Sequence, residues 1–156
     1  MSLYKLFKTN ENLETDGIWI EYGTNEKGEP IRIKIARAGG HNVGFSKALE
    51  KATRPYRKAI QTGMLDNKTA DRLYKEVFAE HVVLDWQNVE GPDGQPMDFS
   101  KENVLKLFED LPDLFADLRE QAGTVALFRD EVREADLGNS GASSATGSSK
   151  APSKGK

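Results

Sequence analysis

Residues 82–115 read VVLDWQNVEGPDGQPMDFSKENVLKLFEDLPDLF, and the order of their features decides the fold class. A Trp-bearing apolar segment comes first, then a cluster of Gly, Pro and Asp, then a helix cap and two amphipathic helical stretches. Asp85–Val89 has the composition of a short strand or an extended edge. Gly91-Pro92-Asp93-Gly94-Gln95-Pro96 is turn chemistry, since Pro fixes φ and Gly admits positive φ. Val89 and Met97–Phe99 suit the two sides of a small hairpin around it. Ser100 caps a helix that carries Val104, Leu105, Leu107 and Phe108. That helix stops ahead of Pro112, because the residue before a proline avoids helical angles. Pro112 then fits the first turn of the next helix, with Asp113 near its positive end. Leu111, Leu114, Phe115, Leu118 and Ala122 make its apolar stripe, and Gly123 closes it.

Upstream, helical periodicity continues. Asp66 or Asn67 caps a helix in which Ala70, Leu73, Tyr74, Val77, Phe78, His81 and Val82 recur at three- and four-residue spacing. Before it, Phe45, Ala48, Leu49, Ala52, Tyr56, Ala59 and Ile60 share one stripe that ends at Gly63. Pro55 interrupts that stripe, removing a backbone donor and crowding the preceding turn, so the spacing predicts two short helices with a break near Thr53–Arg54. The N-terminal third reads as strand. Ile18, Ile20 and Tyr22 alternate with Trp19 and Glu21, and Ile31, Ile33 and Ile35 alternate with Arg32 and Lys34. GTNEKGEP between them predicts an antiparallel hairpin, which must dock on the helices or on a further strand to be stable. Downstream, Val125, Phe128 and Val132 predict a last helix over about 124–135. GNSGASSATGSSKAPSKGK after it has no large apolar residue and reads as a flexible tail. The expected architecture is α+β and predominantly α: an N-terminal β-hairpin, about five short helices, one domain over 1–136 and a Gly/Ser/Ala/Lys-rich tail over 137–156.

Composition narrows the function classes. At 156 residues the chain has room for one modest core. The absence of cysteine removes disulfides, thiol nucleophiles and Cys-ligated metals, and fits a reducing compartment. No apolar run approaches the length of a membrane span, and MSLYKLFKTNENLETDG lacks a signal-peptide core. A soluble, intracellular protein with no membrane role is expected. The net charge of −3 hides a polarity. Residues 31–58 hold eight cations (Arg32, Lys34, Arg37, Lys47, Lys51, Arg54, Arg57 and Lys58) against Glu50 alone, a local +7. Three tail lysines add +3, so the remainder carries −13. Such a face steers acidic partners or nucleic acid.

Catalytic motifs are scarce. His41 and His81 stand forty residues apart in sequence without partner ligands nearby. Ala38–Gly44, AGGHNVG, lacks the Lys-Ser/Thr of a phosphate loop and the GxGxxG spacing, and reads as a connector. Glu109, Asp110 and Asp113 lie where helix ends favour acids. The reading is non-enzymatic, with no catalytic residue, no cofactor and no metal. Its candidate sites are partner-binding: an apolar helical surface at Leu114, Phe115, Leu118 and Phe128, and a basic patch at Arg54, Arg57 and Lys58. The alternative is a small phage or bacterial protein that holds nucleic acid through the basic 31–58 segment, against which the acidic overall balance weighs.

Four segments together, LYKLFKTNENLETDGIWIEY, RIKIARAGGHNVGFSKALEKATRPYRKAI, WQNVEGPDGQPMDFSKENV and LPDLFADLREQA, resemble the tail assembly chaperones of siphophages, encoded upstream of the tape measure gene. The resemblance spans residue 3 to about 136 and rests on order and extent, not on one diagnostic motif. It implies a chaperone that binds the tape measure protein, keeps it soluble and helps recruit the major tail (tube) protein around it. It further implies action in the host cytoplasm, absence from the finished virion, and a frameshift-extended form of the same protein as a partner. No site residue carries over from the resemblance.

Overall fold

The computed structural model describes residues 2–130. Two short helices, α1 (Leu3–Phe7) and α2 (Glu11–Asp16), precede the hairpin of β1 (Ile18–Thr24) and β2 (Pro30–Ile35). Then come α3 (Val43–Thr53), a 3₁₀ turn (Arg54–Tyr56), α4 (Arg57–Gln61) and α5 (Asn67–His81). A third strand, β3 (Val83–Gln87), leads to α6 (Lys101–Asp110), α7 (Pro112–Ala122) and a final 3₁₀ turn (Val125–Phe128). The fold is α+β and mainly helical, as the sequence implies.

β3 pairs with β2, so the hairpin becomes a three-stranded antiparallel sheet of order β1-β2-β3. The register sorts side chains by face. Ile20, Ile33 and Trp86 lie side by side across the strands, next to the row Ile18, Ile35 and Val83, and all but Ile18 are buried. The opposite face carries Trp19, Lys34 and Asp85 in one row and Glu21, Arg32 and Gln87 in the next. There Arg32 pairs with Glu21 at 3.5 Å and the Lys34 ammonium sits 5.7 Å from the Trp19 ring centre. One face is dry and the other wet, the usual logic of an antiparallel sheet.

The helices begin where their caps stand. Asp66 accepts from the Thr69 N–H at 3.0 Å and Ser100 from the Asn103 N–H at 3.1 Å. α5, α6 and α7 bury Val77, Phe78, Val104, Leu107, Phe108, Phe115 and Leu118 in one cluster with the dry face of the sheet. The Gly/Pro turn closes a small hairpin through the Glu90–Pro96 bridge, and the Trp86 indole donates to the Met97 carbonyl at 2.8 Å.

Two stretches differ from the sequence reading. α1 and α2 occupy a stretch in which only strands were expected; at five and six residues they are too short to display a helical stripe, and their signal lies in the caps. The Asn10 side chain accepts from the N–H groups of Asn12 and Leu13 at 2.9 and 3.1 Å, and Ser2 accepts from Lys5 at 3.1 Å. The expected helix over 124–135 begins instead as a 3₁₀ turn. The Phe128 carbonyl accepts from the Asn10 N–H at 2.7 Å and is thereby withdrawn from a helical ladder. The remainder of that helix, and the tail over 137–156, lie outside the described residues.

Candidate functional site

The basic segment folds into a kinked helical arm. At its base, the Asn42 amide donates to the carbonyls of Arg37 and His81 at 2.8 and 3.2 Å, tying the start of α3 to the end of α5. Pro55 stands in the 3₁₀ turn between α3 and α4, where its missing N–H and fixed φ prevent one straight helix. Past α4, Gly63 turns the chain at a φ of 71° that only glycine adopts at no cost, and Met64 N–H closes onto the Ala59 carbonyl at 2.7 Å. Between the arm and α5 runs a groove of about 720 Å³, lined by Phe45, Leu49, Thr53, Ile60, Leu65 and Tyr74 among others. Ile60 is 45 % exposed and Met64, just past α4, is 77 % exposed.

Tyr74 forms the fixed part of this groove. Phe45 meets it edge-on at 5.8 Å, Phe115 at 6.2 Å, and the Arg119 guanidinium lies 4.1 Å from its ring centre. Such contacts on several sides hold the ring in one orientation, joining the groove to the aromatic core. The lining itself holds Glu50 and Asp71 against Arg119, and the positive charge lies on the surrounding elements. Residues 43–76 contain eight Lys and Arg against four Asp and Glu, a net +4, while the whole chain is −3. Within them Glu50 is held by Arg54 at 3.0 Å and Arg57 at 3.5 Å, and Asp71 by Lys75 at 2.8 Å.

The candidate residues from the sequence divide between this arm and the core. Arg54, Arg57 and Lys58 are exposed on the arm. Leu114 is half-buried, whereas Phe115, Leu118 and Phe128 are 5 %, 0 % and 0 % exposed, so three of the four positions expected to form an apolar surface lie in the core. The reason is packing. Phe115 sits 4.9 Å from Phe108 and 5.4 Å from Phe78, ring centre to ring centre, and Phe128 lies in the turn that α1 and α2 cover. Phe115→Asp with Leu118→Asp is therefore expected to unfold the protein, with loss of the cooperative thermal transition, because two charges would enter a dry core. Phe115 still bears on the groove, from within, by supporting Tyr74. The sequence reading missed Leu49, Ile60, Leu65 and Arg119 as groove residues. Pro55 was the available signal: a stripe that continues past a proline break loses its packing partner beyond it.

A second polar cluster joins the N-terminus to the core. Glu14 is fully buried, and its carboxylate accepts from the Arg37 guanidinium, from His41 Nδ1 and from the His41 N–H at 3.3 Å. Burial pushes this carboxyl up, but hydrogen bonds from His41, Arg37 and Thr9 outweigh it and hold the group below its usual range. His41 is raised, first by its bond to Glu14, with Glu11 adding to the effect. Gly40, at φ 54°, leaves the space beside the carboxylate that a Cβ would fill. The loop read from sequence as a connector is thus also the seat of a buried ion pair.

Residues 40–139, a hundred of the 156, match the family described as YdaY prophage protein. The chain belongs to the YdaY prophage protein family. Neither a curated protein nor a solved structure matches it. In this YdaY-family protein the match begins at Gly40 and takes in the arm, α5, β3, α6 and α7, whereas Glu14, Arg37 and the first two strands precede it. The phage origin implied by the resemblance holds at this level: the chain is a prophage protein.

Proposed function

We propose that this YdaY-family protein is a non-enzymatic tail assembly chaperone that binds the tape measure protein, keeps it soluble and helps recruit the major tail (tube) protein. The observation that carries the reading is the open apolar groove between the arm and α5, in a prophage protein whose segments resemble that chaperone family. A chain that leaves Ile60 and Met64 uncovered beside such a groove is suited to holding an apolar face of another protein. In this reading it acts in the host cytoplasm, alone or with a frameshift-extended form of itself, and is left behind when the virion is complete.

The charge distribution favours this over nucleic-acid binding through residues 31–58. Those cations do not form one open stripe. Arg32 and Lys34 are engaged by Glu21 and Trp19 on the wet face of the sheet, Arg37 by buried Glu14, and Arg54 and Arg57 by Glu50.

Co-expression with the protein encoded immediately downstream tests the proposal. The expected result is a long helical protein that enters the soluble fraction only in the presence of this chain and is retained with it in a pull-down. An unchanged, insoluble partner would count against it, as would nucleic acid copurifying in its place.

A further inference from the structure

We propose that α1 and α2 form a strap that opens as one unit to bare residues 125–130, and that the Glu14–Arg37–His41 cluster is its latch, loosened when His41 gives up its proton. The inference stands apart from the tail-assembly reading. Three observations carry it. α1 buries no residue and α2 buries one, the charged Glu14, while Leu3, Tyr4 and Phe7 are largely exposed. A segment held with so little buried apolar surface opens at lower cost than the core beneath it.

The contacts that do hold the strap are polar and fall at two places. At the first, the Glu14 carboxylate meets the Arg37 and His41 side chains, and its carbonyl accepts from the Arg37 N–H at 2.9 Å. At the second, the Asn10 N–H donates to the Phe128 carbonyl at 2.7 Å and the Asn10 side-chain amide to Asp130 at 2.6 Å, while Arg129 donates to the Leu6 carbonyl at 3.1 Å. The Glu14 N–H donates to the Asn10 carbonyl at 3.2 Å, so one helix carries both places and couples them. Beneath it Phe128 is fully buried, in the turn that α1 and α2 contact. The family match begins at Gly40, so the strap precedes it yet grips it at His41 and again at 128–130. Lifting the strap therefore uncovers an aromatic side chain of the matched region.

The proton on His41 is the natural trigger. Glu14 and Glu11 face His41 from α2, and Arg37 faces it from its own loop. The bond to Glu14, aided by Glu11 and opposed by burial and Arg37, holds His41 above its ordinary 6.5. Charged His41 gives Glu14 a bond assisted by charge at both ends; neutral His41 still donates, but more weakly. Arg37 stays charged throughout, so loss of the proton loosens the latch without removing it. The latch is tightest between 4.5 and 6.5, loosens as pH rises through the raised histidine value, and fails as pH falls through the lowered Glu14 value.

Amide hydrogen exchange of the full chain, read residue by residue and corrected for the intrinsic effect of pH, tests the proposal. The N–H groups of Asn10, Glu14, Gly17 and Arg37 report on the strap, Leu127 on the turn, and Ala36 and Val82 on the core. The strap amides should share one protection factor, at least about tenfold below that of Ala36 and Val82. Between pH 6 and pH 8.5 it should fall at least about fivefold, with Leu127 following and the core amides unmoved. Glu14→Gln should lower it at least about tenfold at pH 6. His41→Asn, at an exposed position, keeps a donor without a titrating group and should abolish the pH dependence, whereas His81→Asn should leave it intact.

Strap amides as protected as the core would overturn the proposal, and so would amides that fray one by one from residue 2 with no shared value. A pH dependence that survives His41→Asn or disappears with His81→Asn would place the trigger elsewhere and sink the latch. A Leu127 amide that stays protected while the strap exchanges would show that the strap does not govern the turn. If Glu14→Gln lowers every amide together, the unfolding is global in that variant, and the His41→Asn comparison decides the question.

Discussion

Glu14 carries more structural consequence than any other single polar residue in the described chain. Its side chain has no exposure, and it joins α2 to the 37–41 loop through Arg37 and His41 while its backbone carbonyl accepts from the Arg37 N–H at 2.9 Å. Removing one partner of a buried pair leaves the other charge uncompensated, and Arg37, at 17 % side-chain exposure, regains only part of its hydration. Glu14→Ala is expected to cost about 3 kcal/mol in urea unfolding. The pH dependence follows from the directions of the two shifts. A carboxyl held below its ordinary 4.5 contributes in full above that value and loses its contribution as pH falls through the lower folded value. A histidine raised above 6.5 contributes in full below 6.5 and loses its contribution as pH rises through its raised value. Both contributions coexist between 4.5 and 6.5. The difference in melting temperature between the parent and Glu14→Gln should be largest in that window and shrink on either side. A difference that stays flat from pH 4 to pH 9 would mean that the cluster does not hold the N-terminal helices.

At the scale of elements, the joint between α2 and β1 is set by Gly17. Its φ is 92°, and a Cβ there would come 2.8 Å from Leu84 Cδ1 and 3.0 Å from the Ile35 carbonyl oxygen. The first contact is with the end of a side chain that can shift, but the second is with sheet backbone. Gly17→Ala is therefore expected to cost about 2 kcal/mol or more, combining left-handed strain with a clash, measurable as a lower urea midpoint with an unchanged slope. Elements of this kind divide by how well the sequence announces them. The strands were legible because Ile18, Ile20, Ile31, Ile33 and Ile35 keep strict alternation, and the break at Pro55 because proline acts locally. β3 was legible only as a candidate, since Val83–Gln87 gains its identity from pairing with β2, a contact far away in sequence. α1 and α2 were not legible from periodicity at all. The groove was hidden for a related reason. A stripe such as Leu114, Phe115 and Leu118 looks the same in sequence whether it is covered or open, and here Phe78 and Phe108 pack against Phe115 and close it off. The Leu49–Ile60 stripe looked like core, yet beyond the kink it stays partly uncovered.

For the whole molecule, the family match and the folding unit have different boundaries. The matched region begins at Gly40, but the core it belongs to includes Ile20, Ile33 and Ile35, all at or below 4 % exposure. β2 is the central strand, so a fragment starting at residue 40 would leave β3 without a partner and Trp86, Val83 and Val82 without the Ile33 and Ile35 surface they pack beside. It would also lose Asn10, whose N–H satisfies the Phe128 carbonyl, and Glu14, which His41 needs. An unpaired buried strand edge and an open apolar cluster together cost more than the few kcal/mol by which a domain of this size is stable. A fragment of residues 40–139 is accordingly expected to bind a hydrophobic dye, to melt without a cooperative transition and to aggregate, whereas residues 1–139 melt cooperatively. Adding a separate peptide of residues 1–39 should restore part of the transition, because β1, β2 and the Glu14 latch would return as one piece. If the shorter fragment alone melts sharply, the arm, α5, α6 and α7 form a complete core by themselves, and the sheet is an attachment to the groove-bearing unit and no part of its foundation.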